Sequence, residues 1–352
     1  MDLRAFIEVL STQDHLRRVP RPVDWKFEIG TITREQQVPL LFENVKGYPG
    51  HRVFTNGLSS PGLIALALGL EYGEDLNTII KAAKGRSQNP LPPEMVTESS
   101  VLQNVVPFQQ IDFLTFPIPQ WSTQDTGRYL GTWHINVSKD PDTGTRNVGV
   151  YRMQVLGPKQ ATVSTSPTSD LGRHVAKAER TGRPLPMAVA IGVSETVMMA
   201  ASAACPYGFD EYELAGGLET RSLRLIKCQT VNLEVPAESE IVIEGFVQPG
   251  VRVQDGPYLD YAGKANTNPK AFVFEATRLT YRNHPIFRGS SVGIPGAEDH
   301  QVFSLLAHLS LVDFHGRRSR QRIQNPLLRK RLFRAFQFAG RLGAFHPRTW
   351  GR

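Results

Sequence analysis

Asp255 and Asp260 flank a Gly-Pro turn in the stretch from Val253 to Gly263, and that spacing could fold both carboxylates to one place. A carboxylate pair in an aromatic, partly dry loop can hold one member protonated near neutral pH, as acid–base work requires. The other reading is two turn-forming aspartates beside Gly256 and Pro257. A second concentration of polar groups is Asn147-Val148-Gly149-Val150-Tyr151-Arg152-Met153-Gln154. It follows the turn Asp140-Pro141-Asp142-Thr143-Gly144, so the spacing predicts the second strand of a hairpin over 147–156. With a period of two, its Asn, Tyr, Arg and Gln fall on both faces. A strand built only for packing rarely carries so many hydrogen-bonding groups, which points to a ligand-facing strand rather than a solvated sheet face. A third candidate is the helix from Asp170 toward Gly182, with Asp170 as its cap. Its first turn offers free N–H groups that favour anions. Arg173 and His174 sit there against the helix dipole unless something negative is nearby; the plain alternative is a solvated Arg and a capping His. Glu211, by itself, reads as a helix-start carboxylate.

The elements that must position these residues change character along the chain. Asp2 caps an expected helix from Leu3 to about Leu10, with Leu3, Phe6, Ile7 and Leu10 on one face. A short helix over 31–35 and strands over 38–42 and 52–54 follow. Ser60 as cap and Pro61 at the first position start a helix running through Leu70, and another is expected from Glu74 to Lys84. This alternation suggests an α/β unit of about 100 residues. Residues 86–93 are Pro-rich and read as a linker. Strands are then expected at 101–106, 131–138, 147–156, 187–193, 223–234, 240–247, 271–282 and 285–290, with helices near 170–181, 194–204 and 208–217. Many antiparallel strands with Gly/Pro turns suggest a barrel or sandwich with inserted helices, an α+β chain overall.

The chain has 352 residues, 40% of them hydrophobic, enough for two or three domains with real cores. No apolar run is long enough for a transmembrane helix, and the N-terminal residues lack the pattern of a signal peptide. Cys205 and Cys228 form no CxxC pair, which suits a reducing, cytoplasmic setting. The net charge of +7 is unevenly spread. Residues 315–352 hold ten Arg, one Lys and no acid, which leaves residues 1–314 at −4. Nothing in that body suggests a nucleic-acid footprint, so no specific nucleic acid is expected as a partner.

Five stretches occur in one order: residues 147–154; Pro184-Leu185-Pro186-Met187-Ala188-Val189-Ala190-Ile191-Gly192; Asp210-Glu211-Tyr212-Glu213-Leu214-Ala215-Gly216-Gly217; Pro236 through Gly245; and Asp255-Gly256-Pro257-Tyr258-Leu259-Asp260. This series resembles the UbiD-like, prenylated-flavin-dependent (de)carboxylases, from about residue 1 to about 313. The resemblance implies an N-terminal α/β domain (1–100), a split β-barrel of flavin-reductase type (101–313) and, in relatives, a further α/β domain used in oligomerisation. It implies prenylated FMN as cofactor, delivered by a flavin prenyltransferase, with its phosphate anchored by a divalent metal, usually Mn2+, and K+ nearby. The substrate class is an α,β-unsaturated or aromatic carboxylic acid, the reaction is reversible non-oxidative decarboxylation, and a homo-oligomer is expected.

Carried onto these residues, Asn147 and Glu211 match metal ligands, and His174 falls near a third position. Val150, Tyr151 and Arg152 match the cofactor-contacting strand, with Ser164, Thr165, Ser166, Arg173 and His174 expected around the cofactor. Asp260 matches the acid of the family's E-G-P-x-G-[DE] loop, Asp255 replaces its usual Glu, and Leu259 stands where Gly is usual. The family also places an Arg near these carboxylates, in a stretch that here, at 161–169, contains none; Arg173 is the nearest substitute. Past Asp313 the resemblance stops. Residues 314–352 form a basic tail, read either as a truncation or frame change, or as a natural arm for RNA, membrane or a partner. Leu327–Phe336 has amphipathic helical spacing within it. A catalytically weak or inactive binding protein acting through that tail is the alternative to an active decarboxylase.

Overall fold

The computed structural model describes residues 1–310 except Pro295. The basic tail and its amphipathic stretch lie outside the described residues. Local signals place the first helices: Leu3–Thr12 starts where the Asp2 carboxylate accepts the Ala5 N–H at 2.8 Å, and it buries Leu3, Phe6, Ile7 and Leu10. Ser60 caps Pro61–Ala67, a turn shorter than expected. Asp75 caps Leu76–Ser87. The first sheet is not confined to the N-terminal unit. Its strands run Arg17–Val19, Leu40–Phe42, Arg52–Thr55 and Ile286–Arg288. The last comes from the far end of the described chain and lies parallel to Arg52–Thr55, rather than in the large sheet.

Among the described residues the second sheet has nine strands and is antiparallel throughout. Its path runs Tyr129–Gly131, Met153–Gly157, Gln160–Val163, Ala265–Tyr281, Ile241–Leu259, Leu185–Ile191, His134–Lys139 and Arg146–Gly149, with Asn104–Val106 added beside Ala265–Tyr281. The two ends of this path are consecutive in the chain. A hairpin, 129–157, pairs at its tip as Asn136↔Gly149 and at its base as Tyr129↔Gln154, and comes apart between. One half closes one end of the sheet and one half the other, giving an antiparallel half-barrel. The strand expected over 147–156 is therefore two strands, broken at residues 150–152.

Both faces of the sheet are covered. Along Leu185–Ile191, Ala188 and Ala190 join a core shared with the surrounding helices, while Met187, Val189 and Ile191 fill the other core inside the curve. Period two and two cores explain why this strand reads as an unbroken apolar run. The expected strand 223–234 splits into Arg224–Lys227 and Glu234–Pro236, which form a small sheet with Glu94–Met95. Residues 86–93 are not a free linker. Helix Glu211–Glu219 presses Gly216 and Gly217 onto them, where an added Cβ would come within 2.6 Å of the Leu91 carbonyl and 2.8 Å of those of Arg86 and Asn89.

A buried ion network joins the two sheets. Arg288 is 1% exposed; its Nε donates to Glu195 at 2.8 Å and its Nη1 to Glu298 at 3.0 Å. Glu298 also accepts the N–H groups of Asn56 and Leu58. Glu195 accepts Trp133 Nε1 at 3.0 Å, just where the hairpin comes apart. The next residue, His134, is fully buried, and among the described residues neither ring nitrogen makes a well-aligned hydrogen bond. Its ring occupies the space over Gly131, where a Cβ would meet it at 2.3 Å.

Two stability measurements follow. Arg288→Met leaves two carboxylates buried and unpaired, so urea unfolding at pH 7 should show a loss of about 3–5 kcal/mol; a loss under about 1 kcal/mol would mean the network is dispensable. Burial lowers the His134 pKa from 6.5 to about 4. The unfolded chain then binds the extra proton first, so stability falls as pH drops from 6.5 toward 4, by on the order of 3 kcal/mol for this group. His134→Asn should flatten that slope, and an unchanged slope would assign it to other groups.

Candidate functional site

The parted hairpin exposes backbone that a ladder would otherwise satisfy. Side chains take over: the Tyr151 N–H donates to Asn136 Oδ1 at 3.1 Å and the Gln154 N–H to Thr162 Oγ1 at 2.8 Å. Ser164 N–H reaches the Arg152 carbonyl at 3.0 Å. Val150, Tyr151 and Arg152 thus cross from one end of the sheet to the other with side chains committed to neither ladder. The Tyr151 ring lies over Gly149, within 2.7 Å of where a Cβ would stand, so a larger residue there would have to push the ring aside.

At one end of this crossing sit Asn147 and Glu211. Asn147 is buried, and among the described residues its Nδ2 makes no well-aligned hydrogen bond. Glu211, the first residue of its helix, is also buried and accepts the Val148 N–H at 2.8 Å. Burial, with smaller repulsion from Asp210 and Asp170, pushes its pKa up to about 8. A carboxylate short of positive charge suits a hard, oxygen-seeking cation, for which the Asn147 carboxamide has an oxygen to offer, while its N–H donors suit an anion beside it. Among the described residues no three His, Cys, Asp or Glu gather closely enough to hold a metal by themselves. His174 is buried, but its Nδ1 is engaged with Ser138 Oγ at 3.0 Å and its ring meets Tyr207 edge-on. Burial lowers the His174 pKa to about 4, keeping it neutral. Asp170, expected as a cap, is instead the first helical residue, and Ser169 caps Asp170–Arg180 by accepting the Gly172 N–H at 3.0 Å. Asp170 is thereby left beside Glu211 and Tyr151, whose pKa values it raises.

At the other end, Arg152 meets Asp255. Asp255 is fully buried; Arg152 Nε donates to its Oδ1 at 2.6 Å and Thr162 Oγ1 donates to its Oδ2. The guanidinium lies 5.1 Å from the Tyr258 ring. Arg152, from the opening stretch itself, is the arginine that meets Asp255. Arg173, offered for that place, is 49% exposed, 3.8 Å from Asp170 and over Tyr207. The buried positions Leu171, His174, Val175 and Ala178 put residue 173 on the outer face, a periodicity readable in advance.

Asp255 pairs with Asn268 and Tyr258 with Asn266, so three steps on one strand oppose two on the other. This bulge at Gly256–Pro257 puts residues 255 and 258 on one face, and Asp260 follows just past the end of the strand at Leu259. Gly256 has φ +95°, and a Cβ there would stand 2.6 Å from the Asn266 carbonyl. Gln154 Oε1 accepts the Gly256 N–H at 2.9 Å, and Asp125, buried, accepts the Leu259 N–H at 2.9 Å. Asp260 is half-buried and accepts the Ala262 N–H at 2.9 Å in the closing turn, as a turn-forming Asp does. Thr162 and Asp125 escaped the sequence reading, since each acts on a residue far away in the chain.

Ser164, Thr165 and Ser166 lead from the strand beside Arg152 to the Asp170 helix. Asn268 donates to Ser164 Oγ at 3.1 Å, Thr165 bonds Ser169 Oγ at 2.6 Å, and Ser166 bonds Thr168 Oγ1 at 2.8 Å. A cavity of about 590 Å³ lies elsewhere, lined by Glu94, Glu219, Arg221 and Glu238 among others, and includes none of the expected site residues.

Residues 94–295 match the 3-octaprenyl-4-hydroxybenzoate carboxy-lyase Rift-related domain, and residues 7–83 match the N-terminal domain of the same carboxy-lyase. The chain is 29% identical to pyrrole-2-carboxylic acid decarboxylase of Pseudomonas aeruginosa, covering 89% of this chain and 66% of that protein. The UbiD-class enzyme HmfF from Pelotomaculum thermopropionicum, solved with FMN, superposes with a TM-score of 0.81 at 34% identity, over 88% of this chain and 69% of that one. Vanillic acid decarboxylase of Sedimentibacter hydroxybenzoicus in closed form gives 0.84 at 30% identity, over 87% and 67%. Set against the curated relatives, this chain spans 64% of the length of one from Synechocystis and 71% of one from Aquifex aeolicus. With both domains matched in order, the chain belongs to the UbiD carboxy-lyase family.

Proposed function

We propose that this chain carries the cofactor and catalytic residues of a reversible, non-oxidative decarboxylase for an α,β-unsaturated or aromatic carboxylic acid. The observation that supports this most is the crossing strand. It delivers Asn147 to buried Glu211 and, five residues on, Arg152 to buried Asp255. Five residues reach at most about 17 Å, the length scale of one mononucleotide. In this reading prenylated FMN lies along Val150–Arg152 in a split barrel of flavin-reductase type. Asn147 and Glu211, with Asp170 or His174, hold Mn2+ at its phosphate, and K+ accompanies the divalent ion. The loop 164–169 and the start of the Asp170 helix face the phosphate. Sequestering this chemistry in a homo-oligomer, in the cytoplasm, agrees with the reading, as does cofactor supply by a flavin prenyltransferase.

When bound, prenylated FMN supplies the ring that accepts the electron pair left as carbon dioxide departs. Arg152 binds the substrate carboxylate, since its hydrogen bonds to Asp255 and to the Asn266 carbonyl use Nε and Nη2 and leave the Nη1 donors to pair with it. Asp255, itself held by Thr162, fixes the guanidinium plane. Asp260 donates the proton that replaces the lost carboxylate, and its half-exposed turn lets it take another from water. Shorter than the family's glutamate by one methylene, Asp255 still meets Arg152 at 2.6 Å.

The test is carbon dioxide release from a panel of unsaturated and aromatic acids by the purified full chain, reconstituted with prenylated FMN, Mn2+ and K+. Bound flavin without release across the panel would remove the decarboxylase reading for this chain. Asp260→Asn should lower turnover by ~100-fold or more while the flavin absorbance is unchanged; undiminished turnover would take Asp260 out of the donor role.

A further inference from the structure

Among the described residues, the edge strand Arg146–Gly149 pairs on one side only, with His134–Lys139. Nothing in the sheet fixes its outer edge, yet that edge carries Asn147. Two links tie it to the start of helix Glu211–Glu219. The Val148 N–H donates to Glu211 Oε2 at 2.8 Å. On the other side of Asn147, Arg146 grips Asp210 Oδ2 through Nε at 3.2 Å and Nη2 at 3.0 Å. Residues 146 and 148 thus bracket Asn147, and their partners are Asp210 and Glu211.

We propose that Arg146 and Asp210 form a positioning clamp that sets the gap between Asn147 and Glu211, and with it the affinity of this corner for a divalent cation. The inference rests on the metal reading of Asn147 and Glu211 given above. Asp210 divides its oxygens between the two elements: Oδ1 caps the helix by accepting the Tyr212 N–H at 3.0 Å, and Oδ2 takes the strand's arginine. The pair is largely desolvated, at 16% and 18% exposure, so its geometry is more tightly set than that of a surface ion pair. Arg146 is held from two further sides. Its Nη1 lies 3.1 Å from Glu234 Oε2, and its guanidinium carbon lies 5.0 Å from the ring of Tyr212, which is itself buried. Neither Arg146 nor Asp210 is placed as a ligand; each stands one residue before one, as outer partners of metal ligands do.

The experiment is an Mn2+ titration of the metal-free full chain in the presence of FMN, with free Mn2+ followed by electron paramagnetic resonance. Asp210→Asn keeps a good helix cap and removes the charge; Arg146→Lys keeps the charge and removes the fork. Each should weaken Mn2+ binding by about ten-fold. Arg252→Met serves as the comparison, because it breaks another part-buried helix–strand pair, Arg252 with Glu179 at 2.8 Å, that touches neither proposed ligand. It should leave Mn2+ affinity unchanged. Wild-type affinity in both clamp variants, or an equal loss in Arg252→Met, would overturn the clamp while the metal reading stands. A folded wild-type chain that takes up no Mn2+ would overturn the metal reading and the clamp with it.

Discussion

A β-hairpin that stops pairing halfway along its length must satisfy its backbone some other way. That constraint organises this protein. Where the hairpin arms 129–139 and 146–157 part, Asn136, Thr162 and Ser164 supply the missing partners. Polar side chains inside a sheet are costly unless they are fully bonded, and here they replace a ladder. The three freed residues between the strands then present Val150, Tyr151 and Arg152 to whatever lies across the sheet's two ends. The same crossing brings chemistry from distant parts of the chain to its two termini, one carboxylate at each.

The opposite arm of the hairpin needs a fixed support, and it finds one in charge rather than in packing alone. Glu195 accepts Trp133 and is itself held by Arg288, which also binds Glu298. Two carboxylates around one buried guanidinium carry an excess negative charge, and burial raises the pKa of Glu195 against the pull of Arg288. Such a cluster is a poor source of net stability, because desolvation offsets most of the attraction. What it does is tie helix Glu195–Ser202, strand Ile286–Arg288 and helix Glu298–Ser310 together around Trp133.

How much of this was legible in the sequence depended on the range of each interaction. Caps at Asp2 and Ser60 involve residues three apart, and both were read correctly. At the Asp170 helix two good capping residues adjoin, and the choice of Ser169 over Asp170 could not be made locally. Polarity marked 147–154 as ligand-facing, but the break at 150–152 comes from closure of the sheet, which no local spacing encodes. Asp255 finds Arg152 across 103 residues, and the bulge that puts Asp255 and Tyr258 on one face is defined by counting residues on a partner strand. The five motifs in series identified the family, while the side-chain partners that make a site of them are long-range.

The parallel strand Ile286–Arg288 also has a consequence for how the chain is made. It is the sole neighbour of Arg52–Thr55 on that side of the first sheet among the described residues, and its Arg288 sits between Glu195 and Glu298. A ribosome adding ~5–20 residues per second releases it on the order of tens of seconds after the strands it completes. During that interval Val53 and Phe54 border an open, hydrogen-bond-hungry edge, and Glu195 waits for its counter-charge. Nascent chains of this protein therefore pass through a period in which the N-terminal sheet has emerged but cannot close, and it is then that a chaperone would find the most to protect.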